Sequence, residues 1–496
     1  MEKYRLIAKD CMPFYLNGEE CAGNAIGESD AKPKWEEICL RNLVKSIIPV
    51  RIYDDAALQD DDSKLAYSPI ENKPYHWHSD AGDVEKRVWL AGRYVGTAQI
   101  EGRTIEIRPR FGNLWLVHIL DDIFHFQITA NEQLPAKGEY NELIRRILWR
   151  LWIRKFSAAD RYGLPRQTIK QTHRGIQFRG HLNTRKSIFP FFTKRQAVSE
   201  YREKDLDDTI CRIIYKAYDI LVNKRINRNL VPNQIQDSLN SLYNHYQGVP
   251  ISISSYDYRD ISYKSIYVSW KPLVDFSWQV LQQDCFYKQK ESCGESFSIF
   301  FDMAEIWEAF LRKKLGEGFA EDGWRVLSIE ECRRGIYTNQ FYHREIIPDI
   351  ILRKGNDYMV FDAKYKLMSG NRNDVDRNDV FQIHTYIQFV QHHMGNVVIG
   401  GLLYPISTEE EENKESSILG TNEFYSDNIF GLDGKYKTAF IVDGVVCSEF
   451  KEDNSDNADK LHKRKEDYIN VFDENVNAMI GRINEILKKK IANQRD

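Results

Sequence analysis

Residues Ile346 to Lys366 read IIPDIILRKGNDYMVFDAKYK, two apolar runs separated by Lys354-Gly355-Asn356-Asp357. A Gly-first pair of this kind suits a two-residue hairpin turn, and a two-residue turn fixes the register of both flanking strands. Counting outward, Lys354 faces Asp357, Leu352 faces Met359 and Ile350 faces Phe361. One step further, Asp349 falls opposite Asp362, and directly opposed residues share a sheet face with Cβ atoms about 4.5–5.5 Å apart. Lys364, two residues on, joins that face. Two carboxylates and an ammonium are thus gathered in an otherwise apolar strand pair. Adjacent carboxylates repel and unpaired buried charge is costly, so the pattern implies a neutralising cation. Mg2+ suits such a donor set, with Mn2+ as a substitute, because it is held by one or two carboxylates while keeping waters and phosphate oxygens in its shell. It would activate water and polarise a phosphodiester, while Lys364 orients the water or offsets developing charge. A bare D-x-K is more often an ordinary ion pair. The neighbouring sequence argues for more.

Upstream, Met303, Ile306, Trp307, Phe310 and Leu311 define an amphipathic helix with Glu308 at the border of its stripe, within reach of a metal shell, and Glu305 further towards solvent. Downstream, Asn378 or Asp379 is expected to cap a helix carrying Gln382 and Tyr386 on one face, Gly395 to end it, and Asn396 to Tyr404 to return as a buried strand. Helix, hairpin with D and D-x-K, helix with Q-x-x-x-Y, then strand is the order of a PD-(D/E)xK restriction-endonuclease-like α/β core. The candidate catalytic set is therefore Asp349, Asp362, Lys364, Glu308, Gln382 and Tyr386, with Asp349, Asp362 and Glu308 as metal ligands.

The whole chain has 496 residues, which suits two or three domains. Residues 1–135 read as a β-rich N-terminal domain, with the alternating strand Thr104 to Arg108 and a helix over Leu114 to Phe124. Residues 136–290 read as mainly helical, with apolar stripes from Leu143 to Trp152, over Asp207 to Asn223 and near Leu273 to Gln283, and a basic loop or hairpin from His173 to Lys186. Residues 291–496 form the α/β domain, interrupted by acidic stretches at Ser407 to Ser417 and Glu452 to Asp467 that read as solvated loops, with a terminal helix near Val471 to Lys488. The fold class is α/β and α+β multidomain.

No apolar run approaches the roughly 20 residues of a membrane span, and the first residues lead into no signal-like apolar segment, so a cytoplasmic location without membrane contact is expected. Eight cysteines without a C-x-x-C pair predict reduced thiols rather than a zinc ribbon or disulfide framework. A net charge of −4 argues against electrostatic coating of nucleic acid and leaves any DNA contact local or shared with a partner. Basic residues do cluster locally: Arg174, Arg179, Arg185 and Lys186, to which Lys366 near the D-x-K adds, read equally as a nucleic-acid or partner-binding face and as solvated surface. His76, His78 and His392-His393 lack ligand-spaced companions.

Several of these segments resemble the McrC family, the nuclease subunits of McrBC-type modification-dependent restriction systems. The likeness runs through Gly102 to Arg110 (GRTIEIRPR), Gln177 to Asn183 (QFRGHLN), Phe301-Asp302-Met303 through Trp307-Glu308, Pro348-Asp349, Asp362-Ala363-Lys364-Tyr365-Lys366, Gln382, Tyr386 and Leu402-Leu403-Tyr404-Pro405. Arg110 stands where that family more often has lysine. The resemblance implies that Asp349, Asp362 and Lys364 are catalytic, with Glu308 and Gln382 in support, and that the partner is a hexameric AAA+ GTPase of McrB type which translocates modified double-stranded DNA. It also implies that residues 1–290 dock on that motor and stimulate it. The sequence contains no G-x-x-x-x-G-K-[ST], so no nucleotide is expected on this chain. Two other roles fit the same residues: a non-cleaving activator of the motor ring, and a stand-alone repair nuclease of the same fold.

Overall fold

The computed structural model describes residues 5–14, 70–77, 84–100, 103–125, 140–222, 231–288, 299–332, 334–335, 345–368, 375–407, 420–423, 438–450 and 458–493. Residues 408–417 of the first acidic stretch and His78 lie outside these. The chain divides into two compact units, one of residues 1–141 with 291–496 and one of residues 142–290. Among the described residues no helix is long and apolar enough to cross a membrane, and Cys11, Cys211, Cys332 and Cys447 are free thiols.

The expected division at 135 and 290 is corrected on one side. Residues 291–496 do not stand apart from the N-terminal β segment, because Ile299–Asp302 pairs antiparallel with Tyr94–Ile100. It completes a sheet in which Arg103–Arg108 lies between Tyr94–Ile100 and a parallel Arg5–Lys9. Gly96 is required where the strands meet, since a Cβ there would lie 1.9 Å from the Ile299 carbonyl oxygen. The predicted helix follows at Gly112–Phe124, burying Leu114, Trp115, Leu116, Val117, Ile119 and Leu120.

The second sheet of this unit carries the hairpin. Its six strands run in the order Arg325–Val326, Ile350–Lys354, Asp357–Ala363, Asn396–Ser407, Ala439–Cys447, Gly420–Glu423. The register is the counted one: Ile350 faces Phe361, Leu352 faces Met359 and Lys354 faces Asp357. Gly355 turns at φ 61° while Asn356 keeps a negative φ, the pattern of a type II′ turn, where only the first central residue must be glycine. Asp357–Ala363 is parallel to Asn396–Ser407, so the connection must cross over, and the helix Arg377–His393 does so. Ile383, Ile387 and Val390 of that helix sit in one apolar cluster with Ile351, Val360, Val397 and Leu402 of the sheet.

Two expectations fail here. The helix is capped by Asp376, whose side chain accepts from Asn378 N, and not by Asn378 or Asp379. The second acidic stretch is not all loop: residues 458–467 begin the helix Ala458–Asn493, which meets no glycine until Gly481. A charged segment free of helix breakers can stay helical with its charges in water, as the His462–Glu466 pair, four apart at 3.3 Å, illustrates.

Residues 142–290 contain the predicted helices, at Tyr140–Ala159, Asp208–Leu221 and Lys271–Lys288, with a fourth at Asn233–Tyr246. Their core is aromatic: Trp149 stacks on Trp152 at 5.6 Å, Trp152 meets Phe156, and Phe156 meets Trp270 edge-on. This unit is less helical than expected. Arg166–Gly175 and Ala197–Leu206 form a ten-pair antiparallel ladder, with His181–Leu182 on the other edge of Ala197–Leu206 and the short helix Thr184–Lys194 inserted between. The burial of Arg166–Gly175 alternates residue by residue, a period-2 signal spread over polar and basic side chains that hydropathy does not register.

Candidate metal and catalytic site

Asp349 immediately precedes its strand and is held from both sides. Its Oδ2 accepts from Ala363 N at 2.9 Å, and Arg312 donates to its carbonyl at 2.8 Å and to the Leu327 carbonyl as well. Asp362 lies on the central strand at 1% exposure. Neither of its carboxylate oxygens has a well-formed hydrogen bond, and the Lys364 ammonium lies 2.9 Å from Oδ2. Lys364 donates to Gln382 Oε1 at 2.7 Å, and Gln382 in turn donates to the Tyr386 hydroxyl at 2.7 Å. The Leu403 carbonyl anchors this end of the sheet, accepting from Lys364 N at 2.9 Å and from Trp307 Nε1 at 3.3 Å. Five of the six residues singled out by sequence are therefore joined in one network. The sixth, Glu308, is half-buried on Met303–Ala320 and linked electrostatically to Asp362.

Burial sets the charge balance. It raises the Asp349 carboxyl well above the carboxylate range, reinforced by Asp362 and Glu308 and opposed by Lys364. It raises Glu308 to about 7, with Arg312 opposing and Glu305, Asp362 and Asp302 adding. Burial works against the Lys364 charge as well, but Asp362, Asp349 and Asp379 outweigh it and hold the ammonium protonated. Tyr386 is raised by burial and by Asp349, and so keeps its phenolic proton.

Among the described residues no three His, Cys, Asp or Glu side chains converge as a ready-made metal cage, so Glu308 does not close one with Asp349 and Asp362. Mutual repulsion of three carboxylates, with Lys364 already against Asp362, accounts for this. Mg2+ needs no such cage. One or two carboxylates suffice when water and phosphate supply the rest, and Asp362, buried with oxygens that lack hydrogen bonds, fits that role with Asp349 beside it.

Protons and a cation compete here. Glu308 rises from 4.5 to about 7 on folding, so between those values the folded state holds a proton that the unfolded chain has lost, and Asp349 is displaced in the same direction. The pair therefore makes folding less favourable as pH rises through that window. A divalent cation, which needs the carboxylates deprotonated, is expected to bind more tightly over the same rise. Calorimetric titration of the full chain with Mn2+ at about pH 5.5 and about pH 8 should show markedly weaker binding at the lower value; equal affinities would contradict the assignment.

Two residues escaped the sequence reading although both were legible by helical spacing. Arg312 is four residues after Glu308, and Asp379 three before Gln382. Asp379, 4% exposed, accepts from Lys366 Nζ at 2.9 and 2.7 Å through its two oxygens, and Tyr404 OH and the Lys364 ammonium lie at 3.5 and 3.6 Å. Lys366 also reaches Asp376 at 3.3 Å. Behind the lysine strand, Arg110 packs its guanidinium 4.3 Å from the Tyr365 ring and donates to the Lys366 carbonyl at 2.9 Å. Arg174, Arg179, Arg185 and Lys186 belong to the other unit and are exposed, Lys186 reaching Glu200 at 3.2 Å and Arg179 packing against Tyr201.

A mixed α/β chain with a facing aspartate pair and a lysine on its central hairpin defines a class of acid-lysine site, and wider comparison places it more narrowly. Residues 90–405 match the family described as McrBC 5-methylcytosine restriction system component. The match covers well over half of the chain, and the protein belongs to that family. No curated protein matches. Among solved structures the chain is similar, at 14% identity and a TM-score of 0.48, to a chain of a refined half-complex from a tetradecameric assembly of Thermococcus gammatolerans McrB AAA+ hexamers with bound McrC, over 94% of this chain and 99% of that one. It is also similar to a chain of the cryo-EM structure of the Thermococcus gammatolerans McrBC complex, at 14% identity and a TM-score of 0.35, over 64% of this chain and 88% of that one.

Proposed function

We propose that this chain is the DNA-cutting subunit of a McrBC-type restriction system, an Mg2+-dependent PD-(D/E)xK endonuclease acting on double-stranded DNA. The observation that carries the reading is Asp362, buried on a central strand with no well-formed hydrogen bond to either oxygen, beside Asp349 and Lys364. Asp349 and Asp362 would hold the cation. Bound there, Mg2+ supplies an acidified water and polarises the scissile phosphate. Lys364 places a fixed positive charge where the phosphate gains negative charge, and Gln382, locked by Tyr386, sets the direction of its ammonium. Glu308, raised by burial to about 7, can take up or release a proton near neutral pH.

The partner belongs to the same proposal: an AAA+ GTPase ring of McrB type, which supplies the motor that this sequence lacks. Two features of residues 142–290 support docking there. Ile176, Phe178, Phe189 and Phe192 are 81, 62, 76 and 82% exposed, and the basic side chains of Arg174, Arg179 and Arg185 accompany them in the sequence. Exposed apolar patches of this kind mark interaction surfaces. The test mixes the full chain, the partner GTPase, GTP, Mg2+ and methylated duplex DNA. Cleavage is expected only when all are present, and cleavage by the lone chain without nucleotide would favour the stand-alone nuclease.

A further inference from the structure

Lys364 has two claims on it that conflict. Its closest carboxylate, Asp362 Oδ2 at 2.9 Å, is the one without a well-formed hydrogen bond and the one best suited to a cation. An ammonium and a divalent cation cannot both own the same oxygen cheaply, because like charges held close in a poorly solvated site repel strongly. Lys364 therefore needs a second anionic anchor if Asp362 is to serve a cation, and Gln382, a neutral amide, gives a hydrogen bond but no charge.

We propose that Asp379 is that anchor, a positioning residue that holds the Lys364 ammonium when Asp362 is given to a divalent cation. The inference rests on the metal-site reading above and extends it. Asp379 stands at the third residue of Arg377–His393, where the helix dipole favours negative charge. Its backbone N–H donates to the Asp376 carbonyl. Lys366 fixes both of its oxygens, so the carboxylate is already oriented, and Oδ1 lies 3.6 Å from Lys364 Nζ, just beyond a direct hydrogen bond. A shift of about 0.7–0.9 Å would bring the ammonium into contact, since charge-assisted N–H···O bonds run to about 2.7–2.9 Å. Lys366 then neutralises Asp379 in part, which keeps it from becoming a competing cation site. Asp379 thus acts through the lysine and touches neither the metal nor the substrate.

The experiment is binding of Mn2+ to the full chain, followed by the electron paramagnetic resonance signal of the free ion, with no DNA and no partner. Asp379→Asn is expected to weaken binding about tenfold, the lower end of what loss of an outer carboxylate costs, because Lys364 then stays on Asp362. Lys364→Met removes the competitor and is expected to bind Mn2+ more tightly than the wild type, and Lys364→Met with Asp379→Asn no more weakly than Lys364→Met alone. Tyr404→Phe, which removes the 3.5 Å contact of a hydroxyl with Asp379 and leaves its lysine contacts in place, is expected to bind like the wild type. If Asp379→Asn binds Mn2+ like the wild type, or if Tyr404→Phe weakens it equally, Asp379 has only a structural role and the proposal fails. The Lys364→Met measurement needs no change at Asp379, and equal or weaker binding there overturns the competition outright. A wild-type chain that binds no Mn2+ overturns the metal site itself, and this inference with it.

Discussion

Replacing Asp362 by Asn is expected to lower DNA cutting by about three orders of magnitude, roughly 4 kcal/mol of transition-state stabilisation at about 1.36 kcal/mol per decade. The same substitution is expected to leave the fold more stable, not less. Asp362 contributes a buried carboxylate, 1% exposed, whose oxygens lack hydrogen bonds and whose charge raises both Asp349 and Glu308. An amide of the same shape removes that repulsion, and Lys364 keeps Gln382 and Asp379 as neighbours. A gain of about 0.5–2 kcal/mol is typical when a strained functional group is neutralised. Urea unfolding of the variant beside the wild type, with cleavage measured on the same preparations, separates this from a generic folding defect. A variant that lost cutting and stability together would point to Asp362 as a structural residue.

The largest loss of stability is expected from Arg482→Leu. Asp443, 1% exposed in the strand next to Asn396–Ser407, accepts from Arg482 Nη2 at 2.8 Å and Nε at 3.1 Å. Burial raises its carboxyl, and Arg482 is the main group that opposes this. Taking away the guanidinium leaves a buried, uncompensated carboxylate, which costs about 3–5 kcal/mol. With an unfolding entropy of roughly 2 cal/mol/K per residue, a unit of this size should melt about 4–7 °C lower. Arg482→Leu combined with Asp443→Leu should recover most of the loss, because no charge then remains to be paired; a single variant that melts like the wild type would contradict the account.

How much of this could be read in advance depended on the range of the interaction. The hairpin was fully legible because Gly355-Asn356 is two residues long and fixes the pairing by counting, and the side-chain period of two then sets Asp349 and Asp362 on one face. The helices with strong apolar stripes, such as Asp208–Leu221 and Met303–Ala320, were legible for the same local reason. Long-range pairings were not. Nothing in Ile299–Asp302 announces a partner some two hundred residues earlier at Tyr94–Ile100, so the segments on either side of the middle unit were read as separate domains. Asp379 was misread as a cap because Asp376, Asn378 and Asp379 are all good capping residues, and only the fold shows that Asp376 takes the cap while Asp379 turns inward to Lys366. The ladder of Arg166–Gly175 with Ala197–Leu206 was missed because polar residues carry its alternation.

Asp349 and Asp362 are proposed as the cation site at which DNA is cut. The most direct test of this assignment is end-labelled methylated duplex cleaved by the full chain with its partner GTPase and GTP, as Mg2+ is titrated into metal-free buffer, for the wild type and for Asp362→Asn. Wild-type cutting should rise from zero to a plateau with Mg2+, and the variant should cut about a thousandfold more slowly at every Mg2+ concentration. Product formed in metal-free buffer, or a variant that follows the wild-type curve, would contradict the assignment.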